Sequence, residues 1–495
     1  MTTVTITAGP LSLEDLLAVT RGARIELGLE ARARIATSRA VVDTAVARGD
    51  PIYGLTTGVG HGKDTSLSAD EISAQQQMLV MTHAGGVGPP LSTELVRAAL
   101  AVRLNGIARG GSGASLAAAE VLAAMLNARV HPVVPATSSV GAGDLGAMAA
   151  IAQVAVGMGR AEHDGVVSSG ADALEHTGIT PLELGPKDGL ALISASAVSI
   201  GHAAVVVARA AETAADADVS LALSMEAVGA NPSIIHPAVG RAKGLDGQTA
   251  AADHLREVLA GSGVFAHEVA RSVQDALSFR VAPQVHGALR EYVATARRAV
   301  ETELNAANDN PLVSVADQTL ISNGNFHPMV LAIAFDALRV AIAHVGQISE
   351  RRMSHLWDAF FGRLAEGGVP STGGGPPQLV GLALRYPAAA VISELTQLAA
   401  PATLDTPPLD IGVEDHATGA PLSVRKTHEA LDLLDDILAI EVLLAGDVLR
   451  ALPSLPSLGG GTTPVMAMAT ELVTAPGRRS PDDIHRALRA GFPRH

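Results

Sequence analysis

The residues Glu414-Asp415-His416 put two carboxylates and an imidazole in a row, directly after the turn-rich text TLDTPPLDIG. Such groups can ligate a metal or trade a proton. Adjacent helical positions face different directions, so a three-ligand metal site is not expected, and one carboxylate at a helix start is the simpler reading. The string Gly141–Gly146, GAGDLG, fits G-x-G-x-x-G, which seats a pyrophosphate on a helix N-terminus when a strand precedes it. Here VHPVVPATSS precedes it, with two prolines, and helical text lies before that, so no βαβ unit exists and the dinucleotide reading fails. No nucleophile elbow, H-E-x-x-H or P-loop string occurs. The 17 histidines are mostly scattered singly, and a lone histidine is more often a satisfied core or surface group than a ligand. Around Tyr53, PIYGLTTGVGHGKD (Pro51–Asp64) is dense enough in glycine to demand a loop of special backbone angles.

These residues need a scaffold, and the composition specifies its class. A length of 495 residues allows about three domain-sized units and an ample core. Aromatic residues make up 2% of the chain, while Ala, Leu and Val abound, as in closely packed helices. Helical patterning covers residues 11–50, Ser68–His83, Ser92–Arg109, Ala114–Ala128 and the text from Ala147. The longest helical stretches are Gly287–Ala307, Val330–Phe361 and Ser423–Leu452, the last with Ser423 as candidate N-cap. A loop dense in Gly and Pro is expected over Gly367–Gln378. The nearly uncharged Gly189–Ala208 carries serines and a histidine and reads as a helix buried on all sides, not a membrane span. The expected organisation is a loop-rich helical part over 1–190, a long-helix bundle over 191–450 and a short C-terminal segment over 451–495.

The formal charge of −15, with no basic run longer than two residues, argues against nucleic acid as a partner. With no cysteine, disulfides, thiolate catalysis and Cys-ligated metals are excluded. The N-terminus has no secretory pattern, and a cytoplasmic location is the expectation.

Read together, several strings resemble the histidine, phenylalanine and tyrosine ammonia-lyase and aminomutase family. Tyr53–Gly60 resembles its Y-G-x-N-T-G-F-G loop. Arg103-x-Asn105 with Gly110-x-Ser112-Gly113, and Lys187–Leu192 as K-E-G-L-A-L, match further motifs. So do Ser278-x-Arg280 through Gly287, Asp309–Leu312, Gly324–His327, Ser349–Arg352 and Glu414–His416, all in family order. The segment Thr82–Gly88 and Glu414 are most similar to the histidine branch. The resemblance implies an all-α long-helix bundle of the fumarase/aspartase-like superfamily. It also implies a homotetramer whose subunits share active sites.

The resemblance fails at one place. The family makes its electrophile, methylidene-imidazolone (MIO), from Ala-Ser-Gly within S-V-G-A-S-G-D-L. Here Ser139-Val140-Gly141-Ala142-Gly143-Asp144-Leu145 lacks that Ser by deletion, and Ala142-Gly143 cannot supply its Cβ. Two supporting positions also depart: Ser194 stands for Asn and Leu277 for Tyr. Tyr53, His83, Gln274, Arg280, Phe326 and Glu414 match, so the losses gather on the electrophile. Losing it costs at least several kcal/mol, roughly a thousandfold in rate. The expected function is therefore a lyase-family enzyme working without MIO on a small amino-acid-like carboxylate, by elimination, addition or isomerisation. In this reading Tyr53 is base or acid and Glu414 acts in catalysis. His83, Ser194, Gln274, Arg280 and Phe326 bind substrate, with Arg280 as a bidentate carboxylate clamp. No metal or other cofactor is expected. The alternatives are a non-catalytic binding or regulatory paralogue and an ordinary histidine or aromatic amino acid ammonia-lyase.

Overall fold

The computed structural model describes all residues except 1, 8, 267–269, 271, 366–378, 405, 476–478 and 493–495. The loop expected over Gly367–Gln378 lies outside the described residues. Helices dominate, four of them long: Ala197–Val228, Ala282–Leu304, Met329–Ala365 and Ala420–Arg450. Among the described residues the strands are short and form only two- and three-stranded sheets. The strand Pro135–Thr137 before GAGDLG pairs antiparallel with Val87–Pro90, so the segment is not part of a dinucleotide-binding unit.

Two compact units are present. The first comprises Met1–Val206, Arg297–Ala334 and Pro401–Arg425. The expectation of helix across residues 11–50 fails at Arg24–Leu27, a strand paired in parallel with Thr3–Ile6. Val4, Ile6, Ile25 and Leu27 alternate into the core, the two-residue period of a strand. Helix Thr93–Ala108, N-capped by Ser92, is buried along most of its length and turns polar residues inward. Arg103 pairs with both carboxylate oxygens of Asp309 at 2.7 and 3.3 Å, and Asn105 Nδ2 donates to the Leu304 carbonyl at 2.8 Å. Lys187 Nζ donates to the Ser112 carbonyl at 2.5 Å. Asp188 accepts the N–H groups of Ser115 and Gly185 at 2.7 and 2.9 Å. The three strings containing these residues thus meet as one buried polar framework. Breaking such a pair strands a charge in the interior, at a cost of about 3–5 kcal/mol, which is a structural reason for these residue types.

The apolar stretch Gly189–Ala208 is not one helix. Helix Asp188–Ile193 ends at Ser194, and the next begins at Ala197. Asp144 makes the break: it accepts the Ser199 N–H and hydroxyl at 2.7 and 2.9 Å, capping the second helix, while its own N–H binds the Ala195 carbonyl. By length and apolarity Asp188–Val228 would suffice to cross a membrane, but its apolar window is 89% buried inside the protein, as a core helix is. Ser423 is not an N-cap. The last long helix starts at Ala420, whose N–H binds Thr418 Oγ1, and Ser423 Oγ donates to the Ala332 carbonyl at 2.9 Å.

The second unit comprises Val207–Ala296, Phe335–Ala400 and Lys426–His495. Its buried Glu441 accepts from Arg352 at 2.6 and 2.8 Å and from Ser349 and Ser224 at 2.5 and 2.7 Å. The Ser349–Arg352 string therefore serves packing. A second buried carboxylate, Asp218, accepts from His254, His286 and Arg290. Arg280 ends the short helix Leu277–Arg280, and Gln274 is exposed just before it.

Candidate active site

The first unit bears an open cavity of about 780 Å³. Of the residues expected to do chemistry, Tyr53, His83, Ala142, Gly143, Ser194, Phe326 and Glu414 line it. Gln274 and Arg280 belong to the second unit and are not among the lining residues.

Tyr53 is presented by the glycine-rich loop. Gly54 and Gly60 adopt φ of +63° and +56°, and a side chain at Gly54 would strike Leu190. Thr56 Oγ1 accepts the Ile52 N–H at 2.8 Å and closes the loop upon itself. Gln76, fully buried in helix Ala69–His83, fastens the loop to the next wall: its Nε2 donates to the Gly54 carbonyl and its Oε1 accepts the Leu190 N–H. The Gly60 N–H donates to the Tyr53 hydroxyl at 3.1 Å. Burial raises the phenol above its usual range, the Gly60 N–H opposes this, and nearby Glu414 and Asp410 push it further up.

The opposite wall is the loop Leu409–His416. Leu409 and Glu414 exchange backbone hydrogen bonds at 2.7 and 3.2 Å. The ring so closed forces Asp410, Ile411 and Gly412 to φ of +48°, +56° and +82°. Glu414, Asp415 and His416 all line the cavity. The expectation that consecutive residues could not share a site fails here because the segment is loop, not helix; the helix starts at Ala420. Burial and Asp410 raise the Glu414 carboxyl, while His83 opposes them. His83 Nδ1 donates to the Leu79 carbonyl at 2.9 Å, which leaves Nε2 as the acceptor of the neutral ring. His327 Nε2 and His416 Nδ1 are 2.8 Å apart, and burial and His416 lower the His327 pKa. Among the described residues no three His, Cys, Asp or Glu are grouped to hold a metal ion.

Sequence reading missed Gln76 and Asp410, and gave no role to His327 or His416 although it quoted their strings. The Asp410-Ile411-Gly412 text has no local signature of three successive left-handed residues; only the ring closure reveals it.

The third wall carries Ala142 and Gly143. Thr418 Oγ1 donates to the Gly141 carbonyl at 2.8 Å, and the Gly419 N–H to the Val140 carbonyl at 2.9 Å. A prosthetic group derived from Ala-Ser-Gly needs a hydroxymethyl carbon here. Ala142 has a methyl and Gly143 a hydrogen. The nearby Ser139 hydroxyl is committed: it accepts the Gly141 N–H at 3.0 Å and donates to the Gly143 carbonyl at 2.8 Å. The residues present do not fit that group.

A sequence model of the aromatic amino acid lyase family matches residues 11–471. The chain belongs to that family. The lyase is 37% identical over 475 residues to histidine ammonia-lyase of Chloroflexus aurantiacus, spanning 94% of this chain and 91% of that one. A second histidine ammonia-lyase, from Symbiobacterium thermophilum, is 37% identical over 450 residues, covering 89% and 87%. Among solved structures, the lyase superposes on ergothionase, an ergothioneine-degrading enzyme of Treponema denticola held in complex with desmethyl-ergothioneine sulfonic acid. That match has a TM-score of 0.90 and 27% identity over 99% and 98% of the two chains. Histidine ammonia-lyase from Trypanosoma cruzi gives 0.85 and 31% over 99% and 94%. The long-helix fold is that of these enzymes.

Proposed function

We propose that this lyase-family enzyme breaks a carbon–nitrogen bond without MIO, in a histidine-like betaine whose α-nitrogen is quaternary. The observation that carries the reading is the cavity itself. Tyr53, His83 and Glu414 converge on it, while its Ala142–Gly143 wall lacks the atom from which the family's electrophile is made.

The chemistry supports this pairing. A base strong enough to take an unactivated C–H proton first deprotonates a primary ammonium, leaving a neutral amine that does not depart. A quaternary nitrogen has no proton to give, so the C–H is the base's only target. The Tyr53 phenolate takes the β-proton, the C–H electrons form the Cα=Cβ bond, and the C–N electrons leave with neutral trimethylamine. The product is an unsaturated carboxylate, and the step needs no co-reactant. The His83 Nε2 and Glu414 hydrogen-bond the substrate ring, and Ser194 and Phe326 shape the pocket. No Arg or Lys lines the cavity among the described residues. The carboxylate clamp, Arg280, is assigned to a neighbouring copy in the tetramer that the family resemblance implies. Similarity to an ergothioneine-degrading enzyme supports the substrate class, since ergothioneine is a trimethylammonium betaine of a thiolated histidine.

A second reading, an ordinary histidine ammonia-lyase, is favoured by the 37% identity to enzymes of that name. Intact mass and end-point assays separate the two. The first expects a mass without loss of two waters, trimethylamine from trimethylhistidine betaine or its 2-thiol, and no ammonia from histidine. A two-water mass deficit with ammonia released from histidine would establish the second.

A further inference from the structure

We propose that Asp410 is the specificity-determining counter-ion for the cationic α-nitrogen of the substrate, an assignment that rests on the betaine reading above. Three observations converge on this residue. Its carboxylate lies directly against Gly60: a β-carbon on Gly60 would overlap Asp410 Oδ2. The same Gly60 donates its N–H to the Tyr53 hydroxyl at 3.1 Å. The carboxylate, the glycine and the base therefore form one stack, and the charge sits one residue's thickness from the reacting atoms. The third observation is the makeup of the cavity. Asp410, Glu414 and Asp415 line it, no Arg or Lys does among the described residues, and the aromatic residues Tyr53 and Phe326 line it too. A negative field with aromatic faces is the environment that holds a quaternary ammonium, which offers charge but no hydrogen-bond donor.

The left-handed backbone at Asp410 and Ile411 is the means of this placement. Ile411 is β-branched and 91% exposed, so its own side chain gains nothing from φ of +56°. The conformation is imposed by the Leu409–Glu414 closure, which brings the Asp410 and Glu414 carboxylates to one wall.

The placement also tells quaternary from primary nitrogen. Without ligand, Asp410 and Glu414 oppose formation of the Tyr53 phenolate. A cation held in the cavity beside these carboxylates and the phenol cancels that opposition. As the medium becomes basic enough for a phenolate, a primary ammonium has already lost its charge, whereas a quaternary nitrogen keeps it. Only the permanent cation both occupies the site and activates the base. Among the described residues the other titratable groups facing this space are His83, His327, His416 and Asp415, and none of these supplies a permanent positive charge.

The test measures binding to the full-length protein in a Tyr53→Phe background, which prevents turnover. Two probes are used: trimethylhistidine betaine, and imidazolepropanoate, which has the same ring and carboxylate but no α-nitrogen. Asp410→Asn is expected to weaken the betaine about tenfold and to leave imidazolepropanoate within about twofold. Asp410→Glu, which restores the charge, is expected to recover most of the betaine affinity. Asp410→Ser gives the same comparison if the Asn variant does not fold. Equal losses for both probes, or unchanged betaine affinity, would overturn the role of Asp410 and leave the proposed function standing. A parent that binds imidazolepropanoate but not the betaine would overturn the betaine reading, and this assignment with it.

Discussion

Two of the cavity's walls differ in kind from the third. The Tyr53 and Leu409–His416 walls carry a phenol, three carboxylates and an imidazole, held by glycines in left-handed conformations and by a closed backbone ring. The Ala142–Gly143 wall carries a methyl and a hydrogen, yet its backbone is tied as firmly, to Ser139, Thr418 and Gly419. In the proposed function the first pair of walls recognises and deprotonates. The second shapes space. A wall can thus be held as firmly as its neighbours without carrying a reactive side chain.

The contrast predicts a gradient of mutational effects. Tyr53→Phe removes the base and should lower kcat by about a thousandfold while leaving betaine Kd nearly unchanged. A fall of only a few-fold would move the base elsewhere. Arg280→Lys removes the proposed two-pronged carboxylate contact and should weaken binding by about 1.5–3 kcal/mol by calorimetry. A lower melting temperature with unchanged affinity would make Arg280 a packing residue. Glu414→Gln removes one of the two charges that raise the phenol. The limb of the pH–rate profile on which activity rises as Tyr53 ionises should therefore move to lower pH, as KM rises about tenfold through loss of a ring contact. A limb moving upward would contradict the electrostatics described. Ala142→Ser, on the passive wall, should change turnover by no more than about twofold and leave the intact mass without a water deficit. A large gain or loss would erase the distinction between the walls.

Much of the scaffold could be read from the chain, because helix-period patterning is a local signal. The helical text read from Ser68 and Ser92 starts where Ala69–His83 and Thr93–Ala108 do, whereas the one N-cap named, Ser423, lies inside its helix. The failures have tertiary causes. Arg24–Leu27 becomes a strand because Thr3–Ile6 lies beside it. Gly189–Ala208 breaks because Asp144, far away in sequence, caps the second piece. In the site, Tyr53, His83 and Glu414 are prominent in family-like strings. Asp410 is not, because its position depends on a hydrogen-bonded closure and on a missing β-carbon at Gly60. Many of the most recognisable strings, such as Arg103-x-Asn105 and Ser349–Arg352, hold the interior together and touch no part of the cavity.

Gln76 has a further consequence. Its amide donates at one end to the Tyr53 loop and accepts at the other from helix Asp188–Ile193, which leads to Ser194. The two ends are chemically unlike, so the side chain works as a keyed coupling that fits in one orientation only. Glutamate has the same outline but presents oxygen at both ends, and would face the Gly54 carbonyl with another acceptor. A near-isosteric exchange at a position without reactive duty would thus detach the Tyr53 loop from its neighbour. Tolerance at this position is governed by handedness of donors and acceptors rather than by size.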